Sequence, residues 1–292
     1  MSQPYGIAPP TYRLPNATHV GAVRLQVANV QRSVAFYDRV FGLLAREQDD
    51  GAAGLIARGS PAPLIHLHER KGARAAQGEY GLYHFAILLP DRAALGRFAT
   101  HILRAGLRVA TADHLVSESF YLSDPDGLGI EVYADRPRDS WRMKDGEIAM
   151  ATDPLDIESV IAAGDGAPWR GMPVGTRMGH IHLHVGDLAA AEAFYHRALG
   201  LDRMVWSYPG ALFLAAGGYH HHLGTNVWSP GPAAAEDQAR LLDWELVVPD
   251  AAAAAAAARS LRDAGHAADE TPGGWTAADP WGTRVRIVAT AA

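Results

Sequence analysis

Two kinds of unit, each present twice, restrict this chain to a duplicated architecture. The first kind begins Gly21-Ala-Val-Arg-Leu-Gln-Val-Ala-Asn29, continues Val34-Ala-Phe-Tyr37 and turns at Phe41-Gly-Leu43. It recurs at the same spacing as Gly179-His-Ile-His-Leu-His-Val-Gly-Asp187, Ala193-Phe-Tyr195 and Leu199-Gly-Leu201. Each copy reads as an alternating strand, then a helix capped by Asn29 or Asp187 and stopped at Gly42 or Gly200. The second kind starts His84-Phe-Ala-Ile-Leu-Leu-Pro-Asp91 and again Asp243-Trp-Glu-Leu-Val-Val-Pro-Asp250, with helices ending at Gly106 and Gly265. Each closes on a DPxG turn, Asp124 to Gly127 and Asp279 to Gly282. The alanine run 251–258 therefore falls on an ordinary helix. The reading is α+β: four βαβββ units over roughly 19–70, 80–135, 178–228 and 240–290. A polar tail over 1–18 precedes them. The Pro- and Trp-containing stretch 136–177 reads as an irregular crossover between 19–135 and 178–290.

Composition removes whole classes of chemistry. The chain has 292 residues, a net charge of −6 and no cysteine. Disulfides, thiolate nucleophiles and Cys-held zinc are excluded, and no basic surface exists for nucleic acid. The start, MSQPYGIAPPTYRLP, lacks an apolar signal core, and no stretch is long enough for a membrane span, so a cytoplasmic, soluble protein is expected. Fourteen histidines carry the remaining information.

The densest stretch is HLVSESFYLSDPDGLGIEVYAD, residues 114–135. Glu131 lies between Ile130 and Val132 on a strand expected to be half buried, where a carboxylate needs a cation. The cation is either a metal or a basic side chain such as Arg136. The units together with GLYHFAILLPD (81–91), residues 114–137 and GGYHHHLGTNVW (217–228) resemble the vicinal oxygen chelate superfamily of glyoxalases, bleomycin-resistance proteins and extradiol dioxygenases. The three longer matches resemble its two-domain catechol dioxygenase branch.

That resemblance implies metal ligands on the first and last strands of paired units, two histidines and one carboxylate on one face. Carried over, the first-strand positions are Ala22, His84, His180 and Asp243, and the last-strand positions are Glu131 and Arg286. Pairing units two and three brings together His84, Glu131 and His180. Pairing within a half needs His66, which with His68 alternates in IHLHE. His114 and Tyr121 resemble residues that bond the ring oxygens. His221 or His222 resembles an acid–base histidine, the choice depending on register. His182 and His184 read as cavity lining, and Arg286 as an ion partner of Asp243. The implied cofactor is Fe(II), with Mn(II) or another divalent metal as alternatives, and the implied partners are a small aromatic diol and O2. A homodimer is the assembly this superfamily often forms. Two other activities stay open: a glyoxalase-like lyase or isomerase with a four-ligand site, and a metal-free binding protein.

Overall fold

A computed structural model describes residues 5–48 and 51–290. Unit one comprises β1 (His19–Val27), α1 (Val30–Phe41), β2 (Leu44–Gln48), β3 (Ala52–Ile56) and β4 (Ile65–Glu69). Unit two comprises β5 (Gly81–Leu88), α2 (Arg92–Arg104), β6 (Ala110–Asp113), β7 (Ser117–Ser123) and β8 (Gly129–Asp135). The crossover holds a short hairpin of β9 (Met143–Lys144) and β10 (Glu147–Ile148), then α3 (Ile157–Ala163). Unit three comprises β11 (Arg177–His184), a helix that starts as α4 (Leu188–Ala191), β12 (Asp202–Val205), β13 (Ala211–Ala215) and β14 (Leu223–Asn226). Unit four comprises β15 (Arg240–Val248), α5 (Ala251–Asp263), β16 (Asp269–Thr271), β17 (Gly274–Ala278) and β18 (Arg284–Ala289).

The local signals behave as their chemistry requires. In α1 the side chains of Val30, Tyr37, Val40 and Phe41 are buried at helical spacing. Asn29 accepts from the Arg32 N–H, and Gly42 ends the helix at φ 67°, a conformation that strains any residue with a Cβ. The alanine run forms α5, capped by Asp250 and burying Ala254, Ala257, Ala258 and Leu261.

The strands assemble into two eight-stranded sheets. One runs β16-β17-β18-β15-β1-β4-β3-β2 and the other β12-β13-β14-β11-β5-β8-β7-β6. Unit two therefore shares a sheet with unit three, and unit one with unit four. Within each unit the first strand is parallel to the last, and the first strands of partner units join antiparallel, β1 with β15 and β5 with β11. The helices follow sequence order instead. Phe41 of α1 stacks on Phe98 of α2 at 5.9 Å, so each half ties the two sheets together.

Three expectations change. The crossover is more ordered than an irregular strap: Asp156 caps α3, and a Cβ on Gly96 of α2 would lie 2.3 Å from the Val160 carbonyl, so only glycine permits this helix contact. The unit-three helix widens to a π-helix over Glu192–Ala198 before Gly200. The stretch before β1 is fastened, with Arg13 gripping Asp202 at 2.6 and 2.7 Å and Ile7 exchanging backbone bonds with Arg203 on β12, which covers an exposed sheet edge. Among the described residues no helix is long and apolar enough to cross a membrane.

Candidate metal centre and active-site cavity

The β5–β11 seam creates the site. Antiparallel pairing sets His84 opposite His182 and Ala86 opposite His180, and the parallel β5–β8 ladder sets Glu131 beside Ala86. Residues side by side in register project to the same face. His84 and His180 each bring Nε2 to 3.0 Å from Glu131 Oε2, and the two nitrogens lie 3.4 Å apart. All three residues are buried, Glu131 with only 2% of its surface exposed. The other carboxylate oxygen, Oε1, accepts from Ser119 Oγ at 2.6 Å.

These donors fit a divalent metal. Ligands at right angles around a metal at roughly 2.1 Å are roughly 3 Å apart, the spacing seen here. Burial acts to raise the Glu131 carboxyl, but His180 and His84 outweigh it and hold the group well below the usual carboxylate range. Burial pushes His180 down to about 4, although Glu131 pulls the other way. The cluster therefore combines an anionic carboxylate with a neutral His180 in a site that water barely reaches. Such a buried charge calls for a cation.

The triad opens into a cavity of about 910 Å³. On one side stand Tyr121, opposite Glu131 in the β7–β8 ladder, and His114. His114 Nδ1 lies 2.6 Å from the Ala151 carbonyl, so it carries the ring proton. Nε2 then accepts from the Tyr121 hydroxyl at 2.5 Å. Burial first, and Glu131 second, raise the Tyr121 phenol well above its ordinary value, so it stays protonated. On another side His221 packs against His180, ring centroids 4.0 Å apart, and on Phe213 at 4.9 Å.

A hydrogen-bonded chain sets the His221 tautomer. His220 Nε2 lies 2.9 Å from Asp135 Oδ1 and donates to it. Its Nδ1 is then an acceptor, and His221 Nδ1, 2.7 Å away, donates to it. The free lone pair of His221 is left on Nε2. Burial, then His180 and His220, hold this imidazole well below its usual value.

The sequence-derived positions divide clearly. His84, Glu131, His180, His114, Tyr121 and His221 all line this cavity, as do His182 and His184. His222 does not: its Nδ1 accepts from the Ala216 N–H, and the residue lines a second cavity behind the sheet. His66 and His68 lie on β4 in the other sheet. Arg136 pairs with Asp113 and Glu118 rather than with Glu131. Arg286 meets Glu245 rather than Asp243, because the β15–β18 register sets those two opposite each other, and Asp243 pairs with Arg24 across β1–β15. Ser119 and the His220–Asp135 pair went unread. Strand alternation on β7 puts Ser119 on the Tyr121 face, a signal that was available. Met150 and Thr152 of the crossover, which also line the cavity, lie in a stretch without periodicity.

Comparison with known proteins identifies the family. Residues 18–132 and 177–287 match the model of the Glyoxalase/Bleomycin resistance protein/Dioxygenase superfamily. A protein of Bacillus subtilis (strain 168) named Catechol-2,3-dioxygenase is 40% identical over 270 residues, covering 90% of this chain and 94% of the relative. Among solved structures, a Bacillus subtilis subsp. subtilis str. 168 protein superposes with a TM-score of 0.65 at 13% identity, covering 95% of this chain and 86% of the other. Glyoxalase I from Zea mays superposes at 0.54 and 17% identity, covering 94% and 92%. With both sequence blocks matched and the paired-unit sheets in place, the chain belongs to the Glyoxalase/Bleomycin resistance protein/Dioxygenase superfamily.

Proposed function

We propose that this protein is an extradiol ring-cleaving dioxygenase that takes a catechol-type aromatic diol and O2 to a ring-opened hydroxymuconic semialdehyde, keeping both oxygen atoms. The observation that carries the reading is the convergence of the His84–Glu131–His180 triad, the His114–Tyr121 pair and His221 on one cavity. The similarity to the Bacillus subtilis relative supports it. His84, Glu131 and His180 would hold the metal, Fe(II) first and Mn(II) second, which supplies Lewis acidity toward the diol oxygens and one-electron chemistry toward O2.

The chain's own groups do the rest. Three ligands on one face leave the cavity side free for the substrate. Tyr121, its own proton given to His114 Nε2, orients one diol hydroxyl by accepting its hydrogen bond, and the Ala151 carbonyl fixes the His114 ring behind it. His221 takes a diol proton at Nε2 and returns it when the ring opens, its Nδ1 proton remaining on the His220 side. Leu82, Phe213 and Trp228 line the cavity with apolar surface that displaces water. A glyoxalase-like reaction would use a fourth ligand, typically a second glutamate. Among the described residues the ligand cluster stops at three.

The test is anaerobic purification, loading with Fe(II), then addition of catechol and air-saturated buffer. The expected result is oxygen uptake equimolar with catechol and growth of visible absorbance from the ring-opened product, both abolished in Glu131→Ala. Full metal loading with no oxygen uptake on any catechol would reject the reading.

A further inference from the structure

A second cavity of about 480 Å³ lies between the two sheets, where the start of β1, the start of β11 and the turn before β14 meet. It shares no lining residue with the catalytic cavity. β11 separates them: Gly179 lines one cavity and His180 the other, just as His222 and His221 divide between them.

Its charge is unbalanced. Arg177 makes no ion pair among the described residues, and Arg138 gives a hydrogen bond only to the Gly217 carbonyl while lying over the Trp141 and Tyr219 rings at 5.5 and 5.3 Å. The acid here, Glu245, is already held by Arg24, Arg286 and the Ala22 N–H. Both guanidinium groups are exposed and line the same cleft. Donors accompany them. Because His222 Nδ1 accepts from Ala216, the imidazole carries its proton on Nε2. Thr18 is 2% exposed, and its hydroxyl has no hydrogen-bond partner. A buried hydroxyl left unpaired costs free energy that a ligand would recover. Burial first, with His220, His19, Arg138 and Arg177 acting in the same direction, holds His222 well below its usual value.

We infer that this cleft binds a small organic anion, a carboxylate or a phosphate, on Arg138 and Arg177 with Thr18 and His222 as further donors. Guanidinium groups match both anions through paired N–H donors. Since the walls come from both sheets, the bound anion clamps one sheet to the other. It stabilises the whole protein by mass action.

The probes are inorganic phosphate and succinate, titrated into the full-length protein at constant ionic strength against chloride. Calorimetry and the thermal midpoint are read for wild type, Arg138→Ala, Arg177→Ala, Arg177→Gln and Arg108→Ala, the last lying in the catalytic cavity. Expected is saturable binding of at least one probe with a raised midpoint. Affinity should fall about tenfold or more in the Arg138 and Arg177 variants and hold in Arg108→Ala. Preference for phosphate or for succinate then names the head group. Binding no better than chloride, wild-type affinity in both Arg177 variants, or loss confined to Arg108→Ala would overturn the assignment.

Discussion

Ser119 does for Glu131 what no backbone group near it does: it holds Oε1 at 2.6 Å, leaving Oε2 aimed at both imidazoles. Aiming of this kind is worth roughly 10–100-fold in metal affinity. Ser119→Ala should therefore weaken metal binding by about that factor in a competition titration, with the fold intact; unchanged affinity would mean that the carboxylate needs no such support. His221 is the proton carrier of the proposed reaction. His221→Phe keeps an aromatic ring against His180 and Phe213. It should retain bound metal while turnover falls about 10²–10⁴-fold, as measured by oxygen uptake. The triad was legible because the resemblance implies ligands on the first and last strands of paired units, which for units two and three are His84, His180 and Glu131. The choice between His221 and His222 was not. Both precede β14, which begins at Leu223, so strand alternation does not reach them.

Among elements, the two sheets treat the same positions in opposite ways. By the repeat alignment, Arg286 stands where unit two has Glu131, Asp243 where it has His84, and Arg24 where unit three has His182. The structure links Arg24 to Asp243 at 2.7 Å and to Glu245 at 3.1 Å, and Arg286 to Glu245 at 3.3 Å. Guanidinium groups supply the positive charge there, so the unit-one and unit-four sheet carries ion pairs where the other sheet carries the triad. A further device repeats faithfully. Tyr37 of α1 bonds Asp124 of the unit-two turn at 3.4 Å, and Tyr195 of the unit-three helix bonds Asp279 of the unit-four turn at 2.9 Å. The FY and DPxG signatures are thus two ends of one contact, which explains why they travel together. Both tyrosines are buried and share no partner. Tyr37→Phe and Tyr195→Phe should each cost about 1–3 kcal/mol, and the double variant should show the sum within about 0.5 kcal/mol in urea unfolding. A large deficit from additivity would mean that the halves are coupled through these turns.

For the whole molecule, buried histidines set the response to acid. His180 falls from 6.5 to about 4 through burial, and burial also holds His182, His221 and His222 well below their ordinary value. Above the unfolded value of 6.5 both states are neutral at these groups and stability is unaffected. Below it the unfolded chain takes protons that the folded one refuses, so stability drops until the pH reaches the folded value. His180 alone contributes a loss on the order of 2 kcal/mol by pH 5. Asp124 opposes this, since burial raises it from 3.8 to about 6 and the folded state then gains stability as pH falls from 6 toward 4. One carboxyl does not offset four imidazoles. Metal-free protein should thus unfold at lower urea concentration at pH 5 than at pH 7; a flat or rising midpoint would contradict the buried-neutral assignment. The α+β units and their order could be read from the repeats. The pairing of units two and three depends on tertiary contacts between strands far apart in the chain.

That pairing also dictates an order of events at the ribosome. His84 and Glu131 are made well before β11 exists, and until residue 184 has emerged the β5 edge has no strand to pair with. The nascent chain passes through a stage with an open, apolar edge and an incomplete set of ligands, the kind of intermediate most exposed to mispairing. Neither half of the polypeptide, 19–135 or 178–290, contains a finished sheet. Metal loading must therefore wait for the later half, and fragments cut in the crossover should regain the cofactor only when mixed.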